Sequence, residues 1–272
     1  LDPFGANSVC YGAGYARPEW TLPDPAARKG RIDDVLKIRS QAFGDVREVP
    51  IYLPARFRPS GRYPLLLVHD GSDYVRYAQL QVVLDNLIDR LEVPPLIAAL
   101  SNPGDRLREY AGDPRHADYI ATELLPALES RYPLIRRPSA RCVMGASFGA
   151  VASLNTAWRH QQVFGRLLLQ SGSFAFTDIG PHRRSEAFDP VVEMINAFRK
   201  DPGKPAERVF MSCGMYESLI YENRSMLPLL QSTGIDVRYT EARDGHNWEN
   251  WRDRLREGLS WLFPGPLWMT YE

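Results

Sequence analysis

Apolar residues along this chain follow two rhythms. Leu65-Leu66-Leu67-Val68 and residues 96–100 are short continuous runs, the pattern of strands buried on both faces. Between them Leu80, Val83, Leu84, Leu87, Ile88 and Leu91 recur at helical spacing, which predicts an amphipathic helix over residues 77–91. The same alternation continues to the end. Strands are expected at residues 32–38, 48–53, 141–144, 166–170, 208–212 and 235–240, and helices at 119–128, 147–160, 187–198, 219–230 and 248–263. Residues 101–114 read as a polar loop and residues 174–184 as another. Strands alternating with helices predict an α/β domain whose mostly parallel sheet carries helices on both faces. The first 45 residues break the rhythm, because Pro3, Pro18, Pro23 and Pro25 interrupt any regular pattern. They are expected to form an irregular arm or connector anchored by Tyr15 and Trp20, with residues 46–272 as the main domain.

One junction in this pattern carries chemistry. Cys142-Val143-Met144 is strand-like, and Ala150, Val151, Ala152, Leu154 and Ala157 are spaced as in a helix. Between them lies Gly145-Ala146-Ser147-Phe148-Gly149, a G-x-S-x-G pentapeptide. A serine placed where a strand turns abruptly into a helix is a nucleophile elbow, with its hydroxyl exposed on a strained turn. The N–H groups at the start of the following helix favour negative charge there.

Composition narrows the partners. Lys plus Arg equals Asp plus Glu, 33 each, so the net charge is zero and nucleic acid is not the expected partner. Three widely spaced cysteines, Cys10, Cys142 and Cys213, make neither a disulfide framework nor a zinc site. Cys142 and Cys213 fall in expected strands and read as small buried hydrophobes. No apolar run of about 18 residues is present, so no membrane span is expected. Free cysteines and the lack of a visible leader make cytoplasm the default compartment. No metal or organic cofactor is expected, and the oligomeric state is left open.

In a sheet of this kind reactive groups gather beyond the carboxyl ends of the strands. The loops there carry Asp70-Gly71-Ser72, Ser147, Glu217, and Asp244 with His246. A serine hydroxyl needs a base, and His246 is the candidate. The imidazole needs a carboxylate to fix its tautomer, and Glu217 fits by position, with Glu222 and Asp244 as neighbouring alternatives. The order Ser147, Glu217, His246 is the chain order of α/β-hydrolases. Acyl chemistry also needs oxyanion donors, expected from the Phe148 N–H and from the loop at Gly71-Ser72. His69, ending a buried strand, is read as supporting the site, and His116, His160 and His182 as surface residues.

These residues resemble an esterase family, the enterochelin (ferric enterobactin) esterase group of the wider esterase D-like α/β-hydrolases. The resemblance runs from about residue 46 to 263. It rests on Tyr52-Leu53-Pro54, Val68-His69-Asp70-Gly71, Asp105-Arg106-x-x-Glu109-Tyr110, Glu123-Leu124-Leu125-Pro126, the Ser147 pentapeptide, and Gly245-His246-Asn247-Trp248 followed by Trp251. It implies Ser147 as nucleophile, His246 as base, Glu217 at the acidic position, and backbone N–H groups of Ser72 and Phe148 as the oxyanion hole. The stretch before Val46 is similar to a connector that follows an N-terminal β domain in that group. Ferric triscatecholates are anionic, so a siderophore esterase is expected to line its cleft with cations. Arg76, Arg106, Arg108 and Arg183 lie in suitable loops, the alternative for each being a structural ion pair. The expectation is a serine carboxylic-ester hydrolase acting on a small-molecule ester, possible substrates including enterobactin-type trilactones. An acyltransferase of the same fold and a catalytically silent binding protein are the other readings.

Overall fold

The computed structural model describes residues 10–177 and 185–265. Eight strands form one sheet in the order β1-β2-β4-β3-β5-β6-β7-β8. They are β1 (Arg31–Arg39), β2 (Val46–Leu53), β3 (Leu65–His69), β4 (Ile97–Ser101), β5 (Arg141–Ala146), β6 (Arg166–Gln170), β7 (Arg208–Gly214) and β8 (Asp236–Ala242). β1 pairs antiparallel with β2, and β2 antiparallel with β4, while every pair from β4 onward is parallel. All the residues of β3 and β4 are buried. Successive side chains serve opposite faces, as strand geometry dictates. Leu65 and Leu67 join the core with Val151 and Leu154, whereas Leu66 and Val68 join Leu84, Leu87, Leu255 and Leu259 on the other face. Fully burying one such side chain contributes about 1.5–3 kcal/mol, so both faces must be covered.

The covering helices are α1 (Gly71–Arg76), α2 (Leu80–Asp89), α3 (Arg106–Glu109), α4 (Pro114–Asp118), α5 (Leu125–Arg131), α6 (Phe148–Arg159), α7 (Asp189–Lys200), α8 (Ile220–Ser232) and α9 (Trp248–Leu262). Two details depart from the sequence pattern. The helix expected over residues 77–91 is interrupted by Gln79, whose φ of 52° is left-handed, and α1 precedes the break. The polar loop at 101–114 contains α3, started by Asp105, whose side chain accepts the Arg108 N–H. The helical stretch containing Pro126 passes through a π-helical turn at Tyr119–Leu124, where the Leu125 N–H bonds five residues back to Ile120. Pro126 follows directly, where the helix passes from the π-helical turn into α5.

Hydrogen bonds tie the first 45 residues to α2 and α9. Asn86 donates to the Trp20 and Leu22 carbonyls, and the Tyr15 hydroxyl donates to Asp253. In the same stretch β1 adds an edge strand to the sheet, with no residue fully buried.

Candidate active site

The strand β5 runs into α6 through Ser147, at φ 57° and ψ −120°. This is a sparsely populated backbone region for a residue with a Cβ, held only because the surroundings over-determine it. Gly145 makes the turn possible. A Cβ there would lie 2.4 Å from the Gly149 carbonyl carbon and oxygen, which are backbone and cannot move aside. The Ser147 N–H donates to the Gln170 carbonyl at 2.9 Å, tying the elbow to β6. Its Oγ lies 3.1 Å from Ser173 Oγ, and Ser173 returns an N–H to the Ser147 carbonyl. Phe148 is the first residue of α6, so its N–H is among the four at a helix start without an intrahelical acceptor.

The next strands bring up the carboxylate and the histidine. Glu217 follows β7 and His246 follows β8, and the Tyr216 N–H donates to the Asp244 carbonyl, stitching the two loops together. Glu217 Oε2 lies 2.7 Å from His246 Nδ1. Its other oxygen accepts the Ser171 hydroxyl at 2.6 Å, the Gly214 N–H at 2.7 Å and the Asn250 amide at 3.3 Å. The carboxylate is fully buried, whereas the His246 side chain is 32% exposed. Asp244 caps its own turn instead, accepting from the Gly245 N–H and the Asn247 amide. Trp251 donates its indole N–H to Ser171 Oγ at 2.9 Å and sets its ring edge-on to His246, with centroids 5.0 Å apart.

Strand order explains the convergence. β5, β6, β7 and β8 are consecutive neighbours, all parallel, so the loops that carry Ser147, Ser171 with Ser173, Glu217 and His246 leave the same edge. Sequence reasoning gave no role to Ser171, Ser173, Asn250 and Trp251. Ser171-Gly172-Ser173 ends a strand next to the elbow strand, and that adjacency was the available signal.

The β3 end lies on the other side of the elbow. Asp70 is left-handed, at φ 53°, and buried. Arg106 grips its carboxylate with three contacts of 2.8–3.0 Å. The structure thus places Arg106 in a structural ion pair. Arg76 and Arg108 are exposed, with the Arg76 guanidinium 5.1 Å from the Tyr77 ring centroid. Arg183 and His182 lie outside the described residues. The Ser72 N–H donates to Asn102 Oδ1 at 3.1 Å, and Asn102 donates back to Ser72 Oγ. A Cβ on Gly71 would strike the Leu100 backbone at 2.4 Å, so the loop packs directly on β4.

The histidine assignments need one correction. His116 is not on the surface but 1% exposed, facing His69 with the two Nε2 atoms 2.9 Å apart. The short helix α4 packs on α6, and that contact turns the ring inward. His69 is fully buried, consistent with a supporting part. Burial drives its pKa well below the usual 6.5, and lowers that of His116, where Glu109 pulls the other way. His160 is partly exposed and bonds Asp118 at 2.8 Å. Burial also pushes the Cys142 thiol up to about 12 and raises Cys213, so both are inert side chains within strands.

Among the described residues, no group of three or more His, Cys, Asp or Glu side chains is placed to hold a metal ion, and no helix is long and apolar enough to cross a membrane. A cavity of about 1060 Å³ lies away from this edge, between Phe57, Tyr132 and Arg137, and contains none of the candidate site residues.

The family model described as "Putative esterase" matches residues 40–262. An iron(III) enterobactin esterase of Dickeya dadantii is 26% identical over 90% of this chain. The chain spans only 57% of that relative's length. Among solved structures, the enterobactin esterase from Shigella flexneri, crystallised in the presence of enterobactin, superimposes with a TM-score of 0.75 at 22% identity. That match covers 91% of this chain and 62% of the other. A ferulic acid esterase superimposes with a TM-score of 0.74 at 20% identity, covering 88% of this chain and 99% of its own. These structural matches show the α/β-hydrolase fold.

Proposed function

The chain belongs to this esterase family, and on that premise we propose that it is a serine carboxylic-ester hydrolase with Ser147, His246 and Glu217 as its triad. The observation that carries the reading is the 2.7 Å contact between Glu217 Oε2 and His246 Nδ1, on the same sheet edge as a serine in a strained elbow. A buried carboxylate on Nδ1 keeps the proton there and leaves Nε2 to act as base.

Ser147 Oγ attacks the ester carbonyl carbon as His246 Nε2 takes the hydroxyl proton. The carbonyl π electrons move to oxygen. The Phe148 N–H holds this oxyanion, joined by the Ser72 N–H once it exchanges Asn102 for substrate. The C–O bond to the alcohol breaks, and His246 Nε2 returns its proton to the leaving oxygen. Water then attacks the acyl-enzyme with His246 again as base, releasing acid and Ser147. Every group in this scheme lies after residue 46. The arm before it supplies β1 and packs beside α9.

The substrate class is a carboxylic ester. Enterobactin-type trilactones are the first candidates, because relatives are named for them. Arg76 and Arg108 are the expected cations with exposed side chains that could meet an anionic catecholate, while Arg106 is committed to Asp70. The test is hydrolysis of simple aryl esters beside ferric and iron-free trilactone by the wild type and Ser147→Ala. The wild type is expected to release acid. Ser147→Ala is expected to lose about 10⁴-fold or more in kcat. A folded Ser147→Ala protein with full activity would sink the scheme.

A further inference from the structure

Behind the elbow lies a second polar chain, sealed from solvent. His69 Nδ1 is 2.9 Å from Ser153 Oγ, and His69 Nε2 is 2.9 Å from His116 Nε2. His116 Nδ1 lies 3.5 Å from Glu109 Oε2, too long for a good hydrogen bond. Glu109 is held by both terminal nitrogens of Arg47 and by the N–H groups of Gly104 and Asp105. Tyr110 and Tyr119 pack edge-on or tilted against these rings, and Phe43 covers His116.

The Gly149 carbonyl, which can only accept, sets the direction inferred for this chain. The single Ser153 hydroxyl hydrogen goes to the Gly149 carbonyl at 2.8 Å, one turn back along α6. With its hydrogen there, Ser153 accepts from His69, which then carries its proton on Nδ1. Its Nε2 is then a lone pair, and the facing nitrogen of His116 must be the donor.

We infer that His116 is a positioning residue for the oxyanion hole. This rests on the proposed ester hydrolysis. The two proposed oxyanion donors belong to different elements, Phe148 to α6 and Ser72 to α1, just past the turn after β3. His69 immediately precedes that turn, and its ring is bonded on one side to α6 through Ser153 and on the other to α4 through His116. The elements touch directly as well. A Cβ on Gly149 would lie 3.5 Å from the His69 Cβ and 3.2 Å from Asp70 Oδ2. The Asp70 N–H is also taken by the Tyr110 hydroxyl, and its carboxylate by Arg106. The His69 ring is thus one of the links that set the separation of the two donors, and the His116 donor fixes that ring. The charged and titratable groups facing the pair are Glu109 from α3, Arg47 from β2, Asp113 ahead of α4, and Arg106 and Asp70 beside His69.

The test compares His116→Leu with His116→Gln. Glutamine can place an amide donor near the position of Nε2, whereas leucine leaves the His69 lone pair without one. Turnover is counted per serine titrated with an aryl ester burst, so loss of folded protein does not register. His116→Leu is expected to lower kcat on the order of tenfold or more, since a misplacement of about 1 Å can cost up to about 10²-fold. KM should stay within about twofold, and His116→Gln should stay within about threefold of wild type in kcat, as fits a lost donor and its partial replacement. Equal kcat per titrated serine in all three proteins, with only the melting temperature falling in His116→Leu, would overturn the inference. A His116→Gln as slow as His116→Leu would also do so. Should His116→Leu not fold, ¹⁵N-histidine NMR of the wild type decides the geometry. The inference requires His69 as the Nδ1–H form, and an Nε2–H His69 would contradict it. A wild type with no titratable serine would instead overturn the proposed hydrolysis and leave the NMR result standing.

Discussion

The molecule holds two chains built from the same residue types, with opposite access to solvent. One runs Glu217 to His246 at the β7 and β8 ends, beside Ser147. The other runs Glu109, His116, His69, Ser153 beneath the elbow. Both contain a buried carboxylate, imidazole and a serine of one segment, and the two serines are six residues apart in sequence. The His246 side chain is 32% exposed and that of His116 is 1% exposed. Ser147 sits in a strained turn with its hydroxyl near Ser173, whereas Ser153 sits inside α6 with its hydrogen given to a helical carbonyl. Reactivity therefore does not follow from composition. A base must reach both substrate and solvent, and a nucleophile must have an uncommitted hydroxyl. The sealed chain meets neither condition, and its fixed hydrogen-bond directions suit it to hold elements in place.

Breaking the open chain should have the larger effect. Glu217→Gln removes the charge that orients His246 and is expected to lower kcat by about 10³–10⁴-fold, as for a triad acid replaced by its amide. Steady-state kinetics on a simple aryl ester would measure this. Unchanged turnover in a folded protein would assign the acid elsewhere and remove the contrast between the two chains.

The sealed chain should appear instead in stability against pH. Burial lowers the pKa of His69 strongly and that of His116 less, so both are neutral in the folded protein. Unfolded histidines bind protons below about pH 6.5 while these do not. Stability present above pH 6.5 is therefore lost as pH falls towards their folded values, with a slope of up to about 2–3 kcal/mol per pH unit for the two together. Glu109 adds loss in a lower window, since burial opposes but the hydrogen bonds from Arg47 and from the Asp105 N–H outweigh it and hold its carboxyl at about 2. Urea denaturation between pH 5 and 8 would show the histidine slope, and His116→Gln should make it shallower. A flat profile would place the pair in contact with water.

Much of the fold was legible because both strand faces and helix faces leave apolar periodicities. The β3 and β4 runs and the Leu80 to Ile88 stripe fell where expected. The break at Gln79 was hidden because a left-handed glutamine has no sequence signature of the kind glycine leaves. The positions of Ser147, Glu217 and His246 could be read from loop order along parallel strands. Asn250 and Trp251 could not, because their part depends on how neighbouring loops pack around Glu217. The His116 ring was misplaced for a related reason. A short polar segment, Pro114–Asp118, gives no periodicity, and only its packing on α6 shows which side faces inward. The sequence left each arginine open between cleft cation and structural ion pair, and for Arg106 the partner, Asp70, lies 36 positions away in sequence.

The most direct test of the account is labelling with a fluorophosphonate, followed by mass mapping of the modified peptide, in the wild type and in His246→Ala. The two serines lie close together in the chain, so fragmentation must resolve Ser147 from Ser153. The account predicts label on Ser147 alone in the wild type and none in the folded His246→Ala protein. Label on another serine, label that persists without His246, or no label on a folded wild type would contradict it.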